Sequence, residues 1–476
     1  MNLKIFKAFS LKSIPCNSSF LEIGSFNESK ANPIIPLEDG TFIIFQHYCL
    51  AESLYESPFF WMRKDNSYIY KAMENRGKYT ESLCSKKLIN IFGNDRVFEN
   101  IRILNKKGED IGEIDVLAVF ADRAIILQAK SKKLTLEARK GNDKAIQDDF
   151  KKAIQHSYDQ GLSCAKLLSD KNNTLVTNIG TPLNVRRDFE EIFILCVISD
   201  HYPALSFQAK QFLKYEKHKI IKPPFIMDVF FLDVLCEFLQ SPLHFLNYLH
   251  RRLSYFEKIL SSNELAVLSY HLTNNLWIDG NSNMVLADDL AVYVDSAMVV
   301  RRNKIPGEFI PKGILTKFKG TAFEKILSQI SALEQDKVLE LGYLLLELDE
   351  ETVKSISDAS DLLIYKTISD KQLHDFTIMV GNTGLTVHCS YLPKNKIITK
   401  LFNHCLISKY REKADKWFGL AIKPTEENLI TVFCGFEEPW KKSQEMENAL
   451  QNLPNGKRYK NLTQAINKTE KDNSIP

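Results

Sequence analysis

The sequence predicts an α/β protein, and three observations carry that expectation. An amphipathic helical stretch near residue 80 precedes three apolar runs separated by polar turns. A second amphipathic helix follows, and a last apolar run, Ile192 to Ile198, closes the segment. The order helix, three strands, helix, strand calls for a mixed sheet with helices packed against it.

Residues 1–75 are mixed, with a strand-like run at Thr41–Phe45 and an aromatic cluster, Phe59-Phe60-Trp61, expected in the core. The first helix is expected from Tyr79 to Phe92, where Gly93-Asn94 stops it. A strand over Val97–Leu104 ends in the polar turn Asn105–Asp110. Ile114–Phe120 and Ala124–Lys130 flank a short turn at Ala121-Asp122-Arg123 and predict a buried hairpin. The second helix is expected over Lys144–Leu168, where Ile146, Phe150, Ala153, Ser157, Gly161, Cys164 and Leu168 form one stripe. Residues 205–300 are expected to be a mainly helical extension. An α+β domain is expected over 301–459, with Ile305-Pro306-Gly307 near its start, and a disordered polar tail over 460–476. The N-terminal 1–75 segment is expected to pack on the core formed by 76–204.

Bulk composition narrows the function. A chain of 476 residues exceeds one hydrophobic core, and a net charge of +3 leaves polyanion binding to local patches. Nine cysteines without a C-x-x-C pair exclude a zinc ribbon and support no disulfide framework. Reduced thiols and a cytoplasmic location are the expectation. Every apolar run falls short of the ~18–20 residues that span a bilayer.

The hairpin carries the chemistry. Gln128 and Lys130 share one strand face. A two-residue turn at Asp122-Arg123 sets Asp115 opposite Lys130, with Gln128 diagonal; a slip of two residues sets Asp115 opposite Gln128. An odd turn without a bulge puts Asp115 on the wrong face. Glu81 precedes Cys84, Leu88 and Ile91 on the core-facing stripe of the first helix. With Thr80 as N-cap, Glu81 would instead be a dipole-stabilising first-turn acid. Converging carboxylates repel unless a cation bridges them, and Mg²⁺, which wants oxygen ligands, suits Asp115, Glu81 and an amide oxygen. Such an ion polarises a phosphoryl oxygen, while Lys130 neutralises charge growing on phosphorus.

Glu81, Gly112-Glu113-Ile114-Asp115 and Gln128-Ala129-Lys130 together look like the PD-(D/E)XK nuclease superfamily, most similar to its Mrr-like and nuclease-related-domain branches. The resemblance covers residues 76–200 and implies a restriction-endonuclease-like αβββαβ core. It implies metal ligation by Asp115, Gln128, Glu81 and the Ala129 carbonyl, with Lys130 catalytic. It further implies Mg²⁺, for which Mn²⁺ substitutes, DNA rather than RNA as substrate, and a role in host defence or DNA processing. Gln128 stands where the family often has an acid, which lowers the charge available to a metal. Ile114 stands in place of the family's proline.

Eight basic side chains against four acids in residues 130–152 form a candidate phosphate-binding patch, with Lys132, Lys133, Arg139 and Lys140 foremost. Gln155 and Gln160 are expected to point toward the site, and Glu113 is a candidate second acid. His201 is expected to be a capped or packed histidine. The C-terminal third carries no recognised triad: His374-Asp375 and His388 are read as unconnected, and Trp417 and Trp440 as core. The function expected is a Mg²⁺-dependent endonuclease, self-association being the other partner expectation. The alternative is a catalytically inactive nucleic-acid-binding or scaffold protein on the same fold.

Overall fold

The computed structural model describes residues 3–12, 18, 20–21, 25, 27–63, 65–133, 135, 138, 143–201, 205–279, 282–424 and 429–451. The expected tail over 460–476 and the patch residues Arg139 and Lys140 lie outside them. The chain is mixed α/β and divides into two units: 1–119 with 123–236 and 261–264, and 120–122 with 237–260 and 265–476. The N-terminal segment therefore belongs with the predicted αβββαβ segment. The expected helical extension is divided between the two units.

In the first unit, helix α1 (Tyr48–Arg63) precedes α2 (Ile69–Phe92). The second helix begins at Ile69, not at the expected Tyr79. Gly77 is the one weak helix former on the way, and its cost of about 1 kcal/mol is borne by a well-packed helix. Thr80 is consequently an interior residue, its Oγ1 donating to the Arg76 carbonyl at 2.9 Å. Glu81 is no first-turn acid. Gly93 ends the helix at φ 87°, its N–H donating to Ile89 O at 2.8 Å.

Strands β1 (Val97–Leu104), β2 (Asp110–Phe120) and β3 (Arg123–Lys130) follow. Helix α3 (Asp143–Phe150) passes through a π-helical turn over Lys151–Gln155 into α4 (His156–Ser169). Then come β4 (Thr174–Val176), β5 (Glu191–Ile198), α5 (Leu205–Phe212) and β6 (Phe225–Asp228). The sheet order is β4-β1-β2-β3-β5-β6, antiparallel between β1 and β2 and parallel from β3 through β5 to β6. Every residue of β5 is buried, as a central parallel strand requires. Residues 225–228 are a strand rather than part of a helical extension; a short apolar run does not distinguish the two by period.

Helix α4 presses directly on the sheet at Gly161, where a Cβ would stand 2.6 Å from Ile194 Cγ2. At the far end of β3 the buried Arg123 donates from Nε to Glu191 Oε2 at 2.7 Å, and Lys222 Nζ meets the other oxygen at 2.7 Å. Of the N-terminal aromatic cluster, Trp61 is not core: it is 41% exposed and tilts against Phe9 at 5.1 Å.

The second unit opens on α6 (Pro242–Ser254), capped by Ser241, whose Oγ accepts from His244 N. It continues through α7 (Glu264–Asn274), α8 (Val292–Asn303), α9 (Ala322–Ala332), α10 (Asp336–Glu347) and α11 (Glu350–Asp370). A four-stranded sheet follows, β7 (His374–Val380), β8 (Thr383–Cys389), β9 (Lys416–Ile422) and β10 (Ile430–Phe436), in that order. Helix α12 (Lys394–Arg411) is the crossover between the parallel strands β8 and β9. Trp417 is fully buried, as expected, against Gly384, where a Cβ would stand 2.2 Å from its ring. Among the described residues no helix is long and apolar enough to cross a membrane.

Candidate functional site

The β2–β3 turn is Ala121-Asp122, one residue earlier than expected, with Ala121 at φ 51°. Phe120 and Arg123 flank it, so counting along the hairpin brings Asp115 to the level of Gln128 rather than Lys130. The regular alternation does not persist to that point. Ile114 and Leu117, three residues apart, both enter the α4-facing core, as do Ile101 on β1 and its neighbour Phe98. The alternation slips by one at Asn100, whose φ is 52°, and at Asp115 across from it.

The slip decides where Asp115 points. Its Oδ2 accepts from the Ala129 backbone N–H at 2.7 Å. A strand N–H lies in the plane of the sheet, so the carboxylate sits in the seam between β2 and β3 rather than on either face. Burial pushes the thiols of Cys84 on α2 and Cys164 on α4 up to about 12, and the Asp115 charge reaches both and adds to the rise. Burial raises Asp115 itself to about 6, against the lowering influence of the Ala129 N–H and Lys130; Glu81 and Glu113 add to the rise.

Gln128 and Lys130 continue the face of Ala124 and Ile126, which α4 covers. Gln128 is fully buried; its Nε2 donates to Glu113 O at 3.0 Å, and its Cγ lies near Gly161. Its Oε1 has no hydrogen-bond partner among the described residues. Lys130 Nζ donates to Gln160 Oε1 at 3.0 Å, and Gln160 Nε2 reaches Glu113 O at 3.2 Å. The expected convergence of Asp115, Gln128 and Lys130 on one face is thus replaced by a seam carboxylate beside an amide and an amine. Glu81 is half-buried on α2, raised first by burial and then by Glu113, with Lys130 opposing.

Gln160 points to the site; Gln155 does not. The latter bridges away, donating to Asp159 and to Lys214 O and accepting from Lys214 N, each at 2.9 Å. The basic patch is also engaged internally. Lys132 pairs with Asp149, and Lys133, buried, pairs with Glu56 and lies 3.5 Å from Asp200. Arg76 holds the same Asp200 at 2.7 Å. In this structure both lysines are thus engaged by carboxylates of their own unit, and a phosphate backbone would have to compete with those acids. His201, largely exposed, pairs through Nδ1 with Asp228 Oδ2 at 2.9 Å, a bond that raises its pKa.

Among the described residues, Glu81, Glu113 and Asp115 do not gather closely enough for three carboxylates to share an ion. The acid and histidine side chains that do gather are Asp375, His388 and His404, in the second unit. Sequence reading missed them although the signal was present. Gly381-Asn382 is a strong two-residue hairpin signal, and it pairs Asp375 with His388. No known family model, no curated protein and no solved structure matches this chain.

Proposed function

We propose that the first unit is a restriction-endonuclease-like, metal-dependent phosphodiesterase acting on nucleic acid, DNA before RNA. The observation that carries this reading is Asp115: a buried carboxylate raised to about 6, within the influence of Lys130, across the hairpin from the strand whose Gln128 Oε1 has no hydrogen-bond partner among the described residues. A buried carboxylate and a buried carbonyl oxygen without a donor are both groups that a hard cation satisfies. The residues present therefore suit Mg²⁺, with Asp115, Gln128 Oε1 and the Ala129 carbonyl as the donors and Glu81 at the margin. The ion, when bound, supplies Lewis-acid polarisation of the phosphodiester. Lys130, held by Gln160, is positioned to counter charge developing on the phosphoryl oxygens. Gln160 and Ser157 fix the strand end: Ser157 Oγ donates to Gln128 O at 3.2 Å.

The helix, three-strand, helix, strand order around this seam supports the same reading. A second reading, a nucleic-acid-binding protein without catalysis, is favoured by one observation: among the described residues Asp115 belongs to no group of three or more close acid, histidine or cysteine side chains. Plasmid cleavage separates the two. The expected result is Mg²⁺- or Mn²⁺-dependent nicking abolished by EDTA and reduced about 10²-fold or more by Lys130→Ala, the scale of losing one charge-stabilising donor. Cleavage unchanged in both Lys130→Ala and Asp115→Ala overturns the nuclease reading.

A further inference from the structure

The C-terminal sheet holds a side-chain cluster that takes no part in the proposed nuclease site. Gly381, at φ 56°, and Asn382 join β7 to β8, and the register sets Asp375 directly across from His388. Directly opposed residues share a sheet face. Helix α12 covers that face. Its Leu401 and Cys405 pack with Trp417, whose Nε1 donates to Thr386 Oγ1 at 3.0 Å, two residues before His388 on β8. His404, adjacent to Cys405, leans over the strand pair.

The three polar side chains meet there. His388 Nε2 and His404 Nδ1 stand 2.8 Å apart, and His404 Nδ1 lies 3.8 Å from Asp375 Oδ2. One ligand atom from each residue falls within 4.8 Å of the other two. His388 is 3% exposed, and its polar contact among the described residues is His404 alone, Nδ1 having none. Asp375 and His404 are 39% and 31% exposed, so the cluster opens to solvent on one side.

We propose that Asp375, His388 and His404 are the three protein ligands of one divalent transition-metal ion, zinc first, in the second unit. Donors bound to zinc at about 2.1 Å on a tetrahedron stand roughly 3.4 Å apart, between the 2.8 and 3.8 Å found here, so small side-chain rotations complete the set. Two imidazoles and one carboxylate select zinc over magnesium, which prefers oxygen alone. One ring nitrogen in the His388–His404 contact carries the proton; when zinc binds there, that proton is carried on the other nitrogen of the same ring, and both imidazoles ligate as neutral groups. Three protein ligands leave a fourth position open on the solvent side, the arrangement of zinc sites that bind water or substrate.

The test uses the full chain, stripped with a chelator and titrated with Zn²⁺, and with Co²⁺ as a spectroscopic probe. One equivalent of zinc is expected, with cobalt d–d bands in the visible, and the Asp115→Asn variant binds equally well, which separates this site from the nuclease site. His404→Ala and Asp375→Asn, both on accessible side chains, are expected to weaken zinc binding roughly 100-fold, with circular dichroism confirming an unchanged fold. The proposal is overturned if both variants bind zinc as the parent does, or if the parent binds none. It is equally overturned if millimolar Mg²⁺ displaces the zinc.

Discussion

At the residue scale, Asp115 is held in a state that costs stability. A carboxyl raised from 3.8 to about 6 keeps a proton that the unfolded chain loses between those values. Its penalty is absent below about pH 3.8, grows across the window, and is complete above about pH 6. Near pH 7.5, without metal, Asp115→Asn should therefore raise unfolding free energy by up to about 3 kcal/mol, and denaturant titration at pH 7.5 and at pH 3.5 reads the difference. A gain of equal size at both pH values would mean that ionisation is not its source. If the first unit is the nuclease proposed above, its cleavage should fall as the solution is acidified through about 6, because a protonated Asp115 is no ligand. The Arg123–Glu191 pair behaves oppositely. Arg123→Met takes the guanidinium away from a buried carboxylate, and a loss of roughly 3–5 kcal/mol is expected at neutral pH. Guanidinium unfolding of the variant measures it.

At the element scale, the hairpin was largely legible. Apolar runs flanking a polar turn located β2 and β3, and the two-residue period placed Gln128 with Lys130 correctly. The slip at Asn100 and Asp115 was not legible: Asn tolerates a left-handed backbone, but inside a strand pattern it reads equally as an exposed strand residue, and nothing local announces an in-plane side chain at Asp115. The α2 boundary was missed for a related reason: Thr80 reads locally as an N-cap, and packing overrides local preference. Helix α4 depends on Gly161 for its approach to β5. Gly161→Ala, which drives a methyl into Ile194, should cost about 1–3 kcal/mol; the corresponding change at Gly108, with open space around it, reports only its φ of 81°. If thermal unfolding shows no loss at Gly161, the close contact between α4 and β5 is not as described.

At the scale of the whole molecule, each unit has its own sheet and its own apolar core. Two cores predict two calorimetric transitions rather than one. Asp115→Asn should move one of them and added zinc the other, because a ligand that binds only the folded state stabilises the unit that holds it. A single transition shifted by both changes would contradict this division. The expected 205–300 extension dissolves at this scale: Phe225–Asp228 finds a strand partner in β5, a pairing that no local pattern foretells.

The sequence by itself determined the α/β class, the order of elements around the first sheet, and which residues sit at the end of its hairpin. Apolar periodicity and turn chemistry are local, and they survive any arrangement of the rest. Tertiary structure decided what those residues face: that Asp115 lies in the seam, that Lys132 and Lys133 are engaged by acids, and that His404 meets Asp375 and His388. These outcomes depend on partners far apart in the chain, and only packing brings them within reach of one another.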